Sequence, residues 1–194
     1  MVLLRCKLAV VGDATVGKTA LVATFINGHS AYPKNYVFTA GADVLQKAVK
    51  IPDLSTSVEL TIFDMGGQSI FNSVVQDCVL TTQMAKANAV IFAYDCTSME
   101  SFNSLEMWVK LVREGLRDKA ASFFGVVVAT KADNQERISV NPADGATFAR
   151  NHGFEFFETS ALKAQDADTP FHFIADVYAK NYERRISELE NISR

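Results

Sequence analysis

The sequence is poor in residues that staple a chain or fix it to a membrane. It has three cysteines, Cys6, Cys78 and Cys96, an odd number with no metal-ligand spacing. That excludes a disulfide framework and leads us to expect reduced, partly buried thiols in a cytosolic protein. No apolar run approaches the ~18 residues that span a bilayer. Charges interrupt the opening Met1-Val-Leu-Leu-Arg5-Cys-Lys7 before a secretory core could form. Position 2 is Val, and the closing stretch from Glu188 to Arg194 holds no cysteine. Neither myristoylation nor prenylation is expected, and so no direct lipid anchor. Basic residues are scattered: 19 Lys and Arg stand against 22 Asp and Glu, and Arg184-Arg185 is the densest pair. A nucleic-acid partner is not expected, because that needs a basic face or stripe. There is no internal repeat and no low-complexity segment.

What remains is the profile of one globular domain over residues 1–194, with apolar residues at 48% and charged residues at 21%. Short apolar strands alternate with longer helical periods, the pattern of an α/β fold with a mostly parallel sheet. Strands are expected at Cys6–Val11, Val44–Ile51, Val58–Phe63, Ala89–Tyr94, Phe123–Ala129 and Phe154–Phe157. The second and third read as a hairpin joined by Pro52–Ser57. Helices are expected at Gly17–Ile26, closed by Asn27-Gly28, at Ser101–Leu116, at Pro142–Asn151 and at Pro170–Ile192. Residues His29–Gly41 read as a loop. An irregular helical stretch is expected after Gly66-Gly67, to about Met84.

Four motifs carry chemistry, each after a strand. Gly12-Asp13-Ala14-Thr15-Val16-Gly17-Lys18-Thr19 fits Gly-x-x-x-x-Gly-Lys-Thr between a strand and a helix. Its glycines let successive N–H groups face a phosphate, and the helix that runs on through Ala20 adds its positive end. Lys18 can reach the β- and γ-phosphates, and the Thr19 hydroxyl can ligate Mg²⁺. In Asp64-Met-Gly66-Gly67-Gln68, Asp64 can hold Mg²⁺ through water. Gly67 can donate its N–H to a γ-phosphate, and Gln68 can orient an attacking water. In Thr130-Lys131-Ala132-Asp133, Asp133 can accept both N1–H and the exocyclic amine of guanine. Adenine offers no such donor pair. The Lys131 stem can lie along the base. In Glu158-Thr-Ser160-Ala161-Leu162, small residues let backbone N–H groups approach the guanine oxygen.

These motifs, over nearly the whole chain, resemble a Ras-superfamily small GTPase: a P-loop NTPase G domain. The resemblance implies a central, mostly parallel six-stranded sheet with one antiparallel edge strand and helices on both faces. Thr39-Ala-Gly-Ala-Asp43 and Tyr94-Asp95-Cys-Thr97-Ser-Met-Glu-Ser-Phe102 are Rab-like. The resemblance makes Thr39 the switch I threonine, ligating Mg²⁺ and sensing the γ-phosphate. Tyr32 matches the aromatic that packs on guanine, and Tyr36 the one that covers the phosphates. The implied ligands are GTP or GDP with Mg²⁺, held by Thr19, Thr39 and Asp64. Lys18, Thr39 and Gln68 are the implied catalytic set. Arg5–Leu21, Val58–Asp64, Phe156–Ser160 and Thr169–Phe173 resemble a divergent branch, the Rab-like GTPase subunit of the intraflagellar transport B complex. That branch implies a transport particle at the cilium or flagellum and its base.

Some positions depart from the pattern. Thr130 replaces an Asn that ties its loop to the P-loop, which points to weaker nucleotide binding. Gly66 replaces Ala, adding backbone freedom. Leu162 replaces Lys. Ala14 would crowd an arginine supplied in trans, and Lys34 is the lone basic residue near switch I. Slow intrinsic hydrolysis follows, since Gln68 lacks an arginine partner. A non-hydrolysing scaffold subunit and a vesicle Rab without a lipid anchor remain as alternatives. Finally, Phe171, Ile174, Ala175, Tyr178, Tyr182, Ile186 and Leu189 recur at three- and four-residue steps. A helix that long, roughly 33 Å, outruns a sheet about 20 Å deep. Tyr182, Ile186 and Leu189 would overhang as a docking face, and the resemblance implies a small β-sandwich partner there.

Overall fold

Two apolar clusters, one on each face of a single sheet, organise the molecule. A computed structural model of the chain describes residues 2–28, 33, 35, 39–52, 54–67, 87–116 and 123–192. Tyr32, Lys34, Tyr36, Gln68, Cys78 and the stretch expected to be helical up to Met84 lie outside the described residues.

The strands are β1 (Val2–Val11), β2 (Ala42–Ile51), β3 (Thr56–Met65), β4 (Ala89–Asp95), β5 (Phe124–Thr130) and β6 (Glu155–Glu158). They lie in the order β2-β3-β1-β4-β5-β6. β2 pairs antiparallel with β3, and every other pairing is parallel. β1 starts earlier than its apolar run because Val2 is already in register with Thr56. The same pairing draws Thr56 and Ser57, expected in the turn, into β3.

The helices are α1 (Lys18–Asn27), α2 (Met99–Asn103), α3 (Leu105–Leu116), α4 (Pro142–His152) and α5 (Thr169–Ile192). The single helix expected over Ser101–Leu116 is two. The Ser101 hydroxyl is buried and lies 3.1 Å from the Asp95 N–H and 2.9 Å from Ser98 O, pinning α2 to the end of β4. At Ser104 one N–H is shared between Glu100 O and Phe102 O, which interrupts the regular ladder. α4 forms where its signals say: Asn141 accepts from Ala143 N–H, Pro142 sits in the first turn, and Gly153 closes it with φ 76°.

Period-two alternation along the strands assigns side chains to the two faces. Leu8, Val10, Ile91, Ala93, Val126 and Val128 meet Leu21, Val22 and Phe25 of α1 and Phe171, Ile174 and Ala175 of α5. Ala9, Val11, Val90, Phe92, Val127 and Ala129 meet Trp108, Val109 and Val112 of α3 and Ala149 of α4. The Phe25 and Phe171 rings stack at 4.1 Å, joining the first helix to the last. The inner half of α5 is therefore core. Beyond it Tyr182, Ile186 and Leu189 are 41%, 38% and 63% exposed, the overhang expected from its length. Among the described residues no helix is long and apolar enough to cross a membrane.

Candidate functional site

The four motifs converge because each follows the C-terminal end of a parallel strand: β1, β3, β5 and β6. The loop after β1 lies where neighbouring strands continue in opposite directions through the sheet, the place at which open α/β sheets take ligands.

The loop from Gly12 to Thr19 turns so tightly that Gly12 and Gly17 have φ of 144° and 101°. A Cβ on Gly12 would overlap the Ala93 carbonyl oxygen. Thr15 also takes a left-handed backbone, φ 64°. Lys18 Nζ folds back to donate to Gly12 O at 2.8 Å and Asp13 O at 2.6 Å. Its side chain is buried, which pushes the ammonium down to about 8 against the opposing pull of Asp64 and Asp13. A buried cation held by two carbonyls suits an incoming anion. Asp13 Oδ1 accepts from the indole N–H of Trp108 at 2.8 Å, tying the loop to α3.

Behind this loop three hydroxyl and carboxyl groups gather. Thr19 Oγ1 donates to Asp64 Oδ2 at 2.6 Å and lies 3.2 Å from Thr39 Oγ1. Asp64 is fully buried, and its Oδ1 has no hydrogen-bond partner among the described residues. Burial raises its carboxyl pKa; the Thr19 hydrogen bond and Lys18 oppose the rise, while Asp43 adds to it. An orphaned buried carboxylate oxygen beside two hydroxyls is a hard oxygen set that fits Mg²⁺. Gly66 sits against Thr39: its N–H donates to Gly41 O at 2.7 Å, and a Cβ would come within 2.5 Å of Thr39 O. The glycine expected to loosen this turn instead permits a close approach. A Cβ on Gly67 would overlap the backbone of Ala14, so this strand end lies against the phosphate loop.

A pocket of about 220 Å³ opens next to this group, lined among others by Gly17, Ala20, Thr130, Lys131, Asp133 and Ala161. Leu162, 49% exposed, forms part of its rim. Thr130 Oγ1 lies 2.5 Å from Val16 O and 2.8 Å from Tyr94 O. Threonine at this position thus keeps a tie to the phosphate loop. Ser160 Oγ donates to Asp133 Oδ1 at 2.5 Å and orients that carboxylate. The Ser160 N–H, expected to face a ligand, is spent on Gln165 O at 2.9 Å. Its contribution is the side chain, because the isolated bridge to Gln165 consumes its backbone. Asn134 and Thr159 also line the pocket and carried no motif signal. Lys131 Nζ pairs with Asp95 Oδ2 at 2.6 Å, a partner 36 residues away in sequence.

The Ras family model matches residues 7–180. The chain belongs to the Ras family. It is a Rab-like small GTPase that takes GTP and GDP with Mg²⁺. It is 35% identical over 193 residues to Intraflagellar transport protein 27 of Chlamydomonas reinhardtii, covering 98% of this chain and 92% of that protein. It is 36% identical over 186 residues to the Intraflagellar transport protein 27 homolog of Mus musculus, covering 96% of each. Ras-related protein Rab-13 of Bos taurus is 29% identical over 181 residues, covering 93% of this chain and 83% of that protein. Against this family background, the Trp108–Asp13 and Lys131–Asp95 contacts are the parts of the site that motif reading missed.

Proposed function

We propose that this Ras-family chain is a slowly hydrolysing guanine-nucleotide switch built into an intraflagellar transport particle, working at the cilium or flagellum and its base. The convergence of Thr19, Thr39 and the orphaned Asp64 oxygen beside a pocket walled by Asp133 carries the nucleotide half of this reading. The transport half is supported by relatives of that name aligned over nearly the full chain.

In this reading the loop Gly12–Thr19 and Ala20 cradle the phosphates, with Lys18 supplying a positive charge to them. Thr19, Thr39 and, through water, Asp64 would hold Mg²⁺, which would supply positive charge beside the phosphates. Asp133, held by Ser160, accepts the two guanine donors. Lys131 covers one face of the base, and Thr130, Ala161 and Leu162 complete the pocket wall. Tyr32 and Tyr36 close over base and phosphates. Gln68 orients the water that attacks GTP to give GDP and phosphate. Turnover is slow because the sequence between Arg5 and Arg113, which holds both switch segments, contains no arginine to serve in cis. The exposed end of α5, with Tyr182, Ile186 and Leu189, takes a small β-sandwich subunit of the particle.

Purification of the endogenous protein from ciliated cells, with mass spectrometry and nucleotide chromatography, tests both halves. Transport subunits and a guanine nucleotide are the expected companions. A lone chain with no nucleotide would overturn the reading.

A further inference from the structure

Asp95 ends β4 and belongs to none of the four motifs. Its two carboxylate oxygens have separate duties. Oδ1 accepts from Thr97 N–H at 2.9 Å and Thr97 Oγ1 at 2.7 Å, which shapes the turn after the strand. Oδ2 faces Lys131 Nζ at 2.6 Å. A side chain needed only for the turn would use one oxygen, as an Asn can.

Lys131 is placed by an unfavourable backbone. Its φ is 60°, a left-handed conformation that non-glycine residues rarely adopt. From there its stem lines the pocket and passes Gly17 before it reaches Asp95. A lysine stem with 41% of its surface exposed has many rotamers, and a fixed anion at its tip selects one of them. The Asp95 side chain is 12% exposed and cannot swing away. Burial alone would raise its carboxyl, but hydrogen bonds from Lys131 and Thr97 outweigh it and hold the carboxyl below the usual range.

We propose that Asp95 is a positioning residue of the base site: its Oδ2 pins Lys131 across the pocket, so that a bound guanine nucleotide leaves slowly. This rests on the reading of Lys131 as the cover of the base. Lys131 is preorganised before nucleotide arrives, and its ordering cost is met by folding rather than by binding.

The test is a double-mutant cycle on the release rate of a fluorescent GDP analogue from the full chain. Asp95→Asn preserves the acceptor for Thr97 and removes the charge that faces Lys131. It should speed release about fivefold, the size appropriate to a half-exposed ion pair. In a Lys131→Met background the same change should alter release less than about twofold. Asp95→Glu, whose carboxylate still reaches the lysine tip, should recover most of the retention. Equal acceleration in both backgrounds, or none in the parent, would overturn the proposal. Should Asp95→Asn fail to fold, Asp95→Glu and Lys131→Met still decide it, since retention must follow the carboxylate and depend on the lysine. Release unchanged by Lys131→Met alone would remove the base-cover reading, and the role of Asp95 with it.

Discussion

Lys18 is a buried ammonium whose charge the fold tolerates for the sake of a ligand. Its pKa falls from 10.5 to about 8. Between those values the unfolded chain binds more protons than the folded one, so stability rises with pH across that window. At about 1.4 kcal/mol per pK unit, the charged lysine costs the nucleotide-free protein on the order of 3 kcal/mol at neutral pH. Urea titrations of nucleotide-free protein should show stability climbing from pH 8 towards 10.5. Lys18→Met should be about 2 kcal/mol more stable at pH 7, lack that climb, and no longer retain GTP. Asp133 offers a second test at this scale. Replaced by Asn, its amide donates where xanthine presents an oxygen and guanine an amine. Asp133→Asn should lose at least tenfold in GDP affinity and gain affinity for xanthosine diphosphate, read by competition titration. Lys18 and Asp133 were legible because contiguous motifs carry them. Asp95 and Trp108 were not, because each meets its partner, Lys131 or Asp13, only after the sheet assembles.

At the scale of elements, central strands such as β4 and β5 were legible to within a residue or two because apolar runs mark strands buried on both faces. Pairing lengthened β1 and β3 beyond those runs, since hydrogen-bond register extends a strand regardless of side-chain polarity. The break at Ser104 was hidden because a buried serine hydroxyl leaves no periodic trace. α4 carries a glycine that propensity alone would replace. Gly145→Ala should add up to about 1 kcal/mol of helix propensity. A Cβ there, however, would come within 2.5 Å of Tyr94 Oη and 2.6 Å of Phe156 Cε2. Tyr94 is fully buried and has nowhere to retreat. Overpacking of that kind costs about 1–3 kcal/mol, so the variant should be net less stable in urea denaturation. A net gain would show that α4 can slide away from the sheet.

For the whole molecule, the division of α5 matters most. Its first half closes one apolar cluster through Phe171, Ile174, Ala175 and Ala179. Its second half adds exposed side chains and i,i+4 ion pairs such as Arg184–Glu188 that contribute little. Deleting the residues after Tyr182 should therefore move the thermal midpoint by less than about 3 °C. GDP retention should be unchanged, and pairing with a partner subunit should be lost. Size-exclusion chromatography of the mixed proteins reads the last of these. The overhang was legible from helix length against sheet depth, and Tyr182, Ile186 and Leu189 are the exposed side chains that this length leaves beyond the sheet.

Trp108 is the chain's single tryptophan, and its indole N–H is hydrogen bonded to the phosphate loop. Light absorbed by that one ring thus comes back as a signal from the loop, with no dye attached. Stripping nucleotide from the protein should change the intensity or colour of its ultraviolet emission, and Asp13→Ala should mute the change. The fold has placed an optical gauge beside the chemistry it would be used to watch.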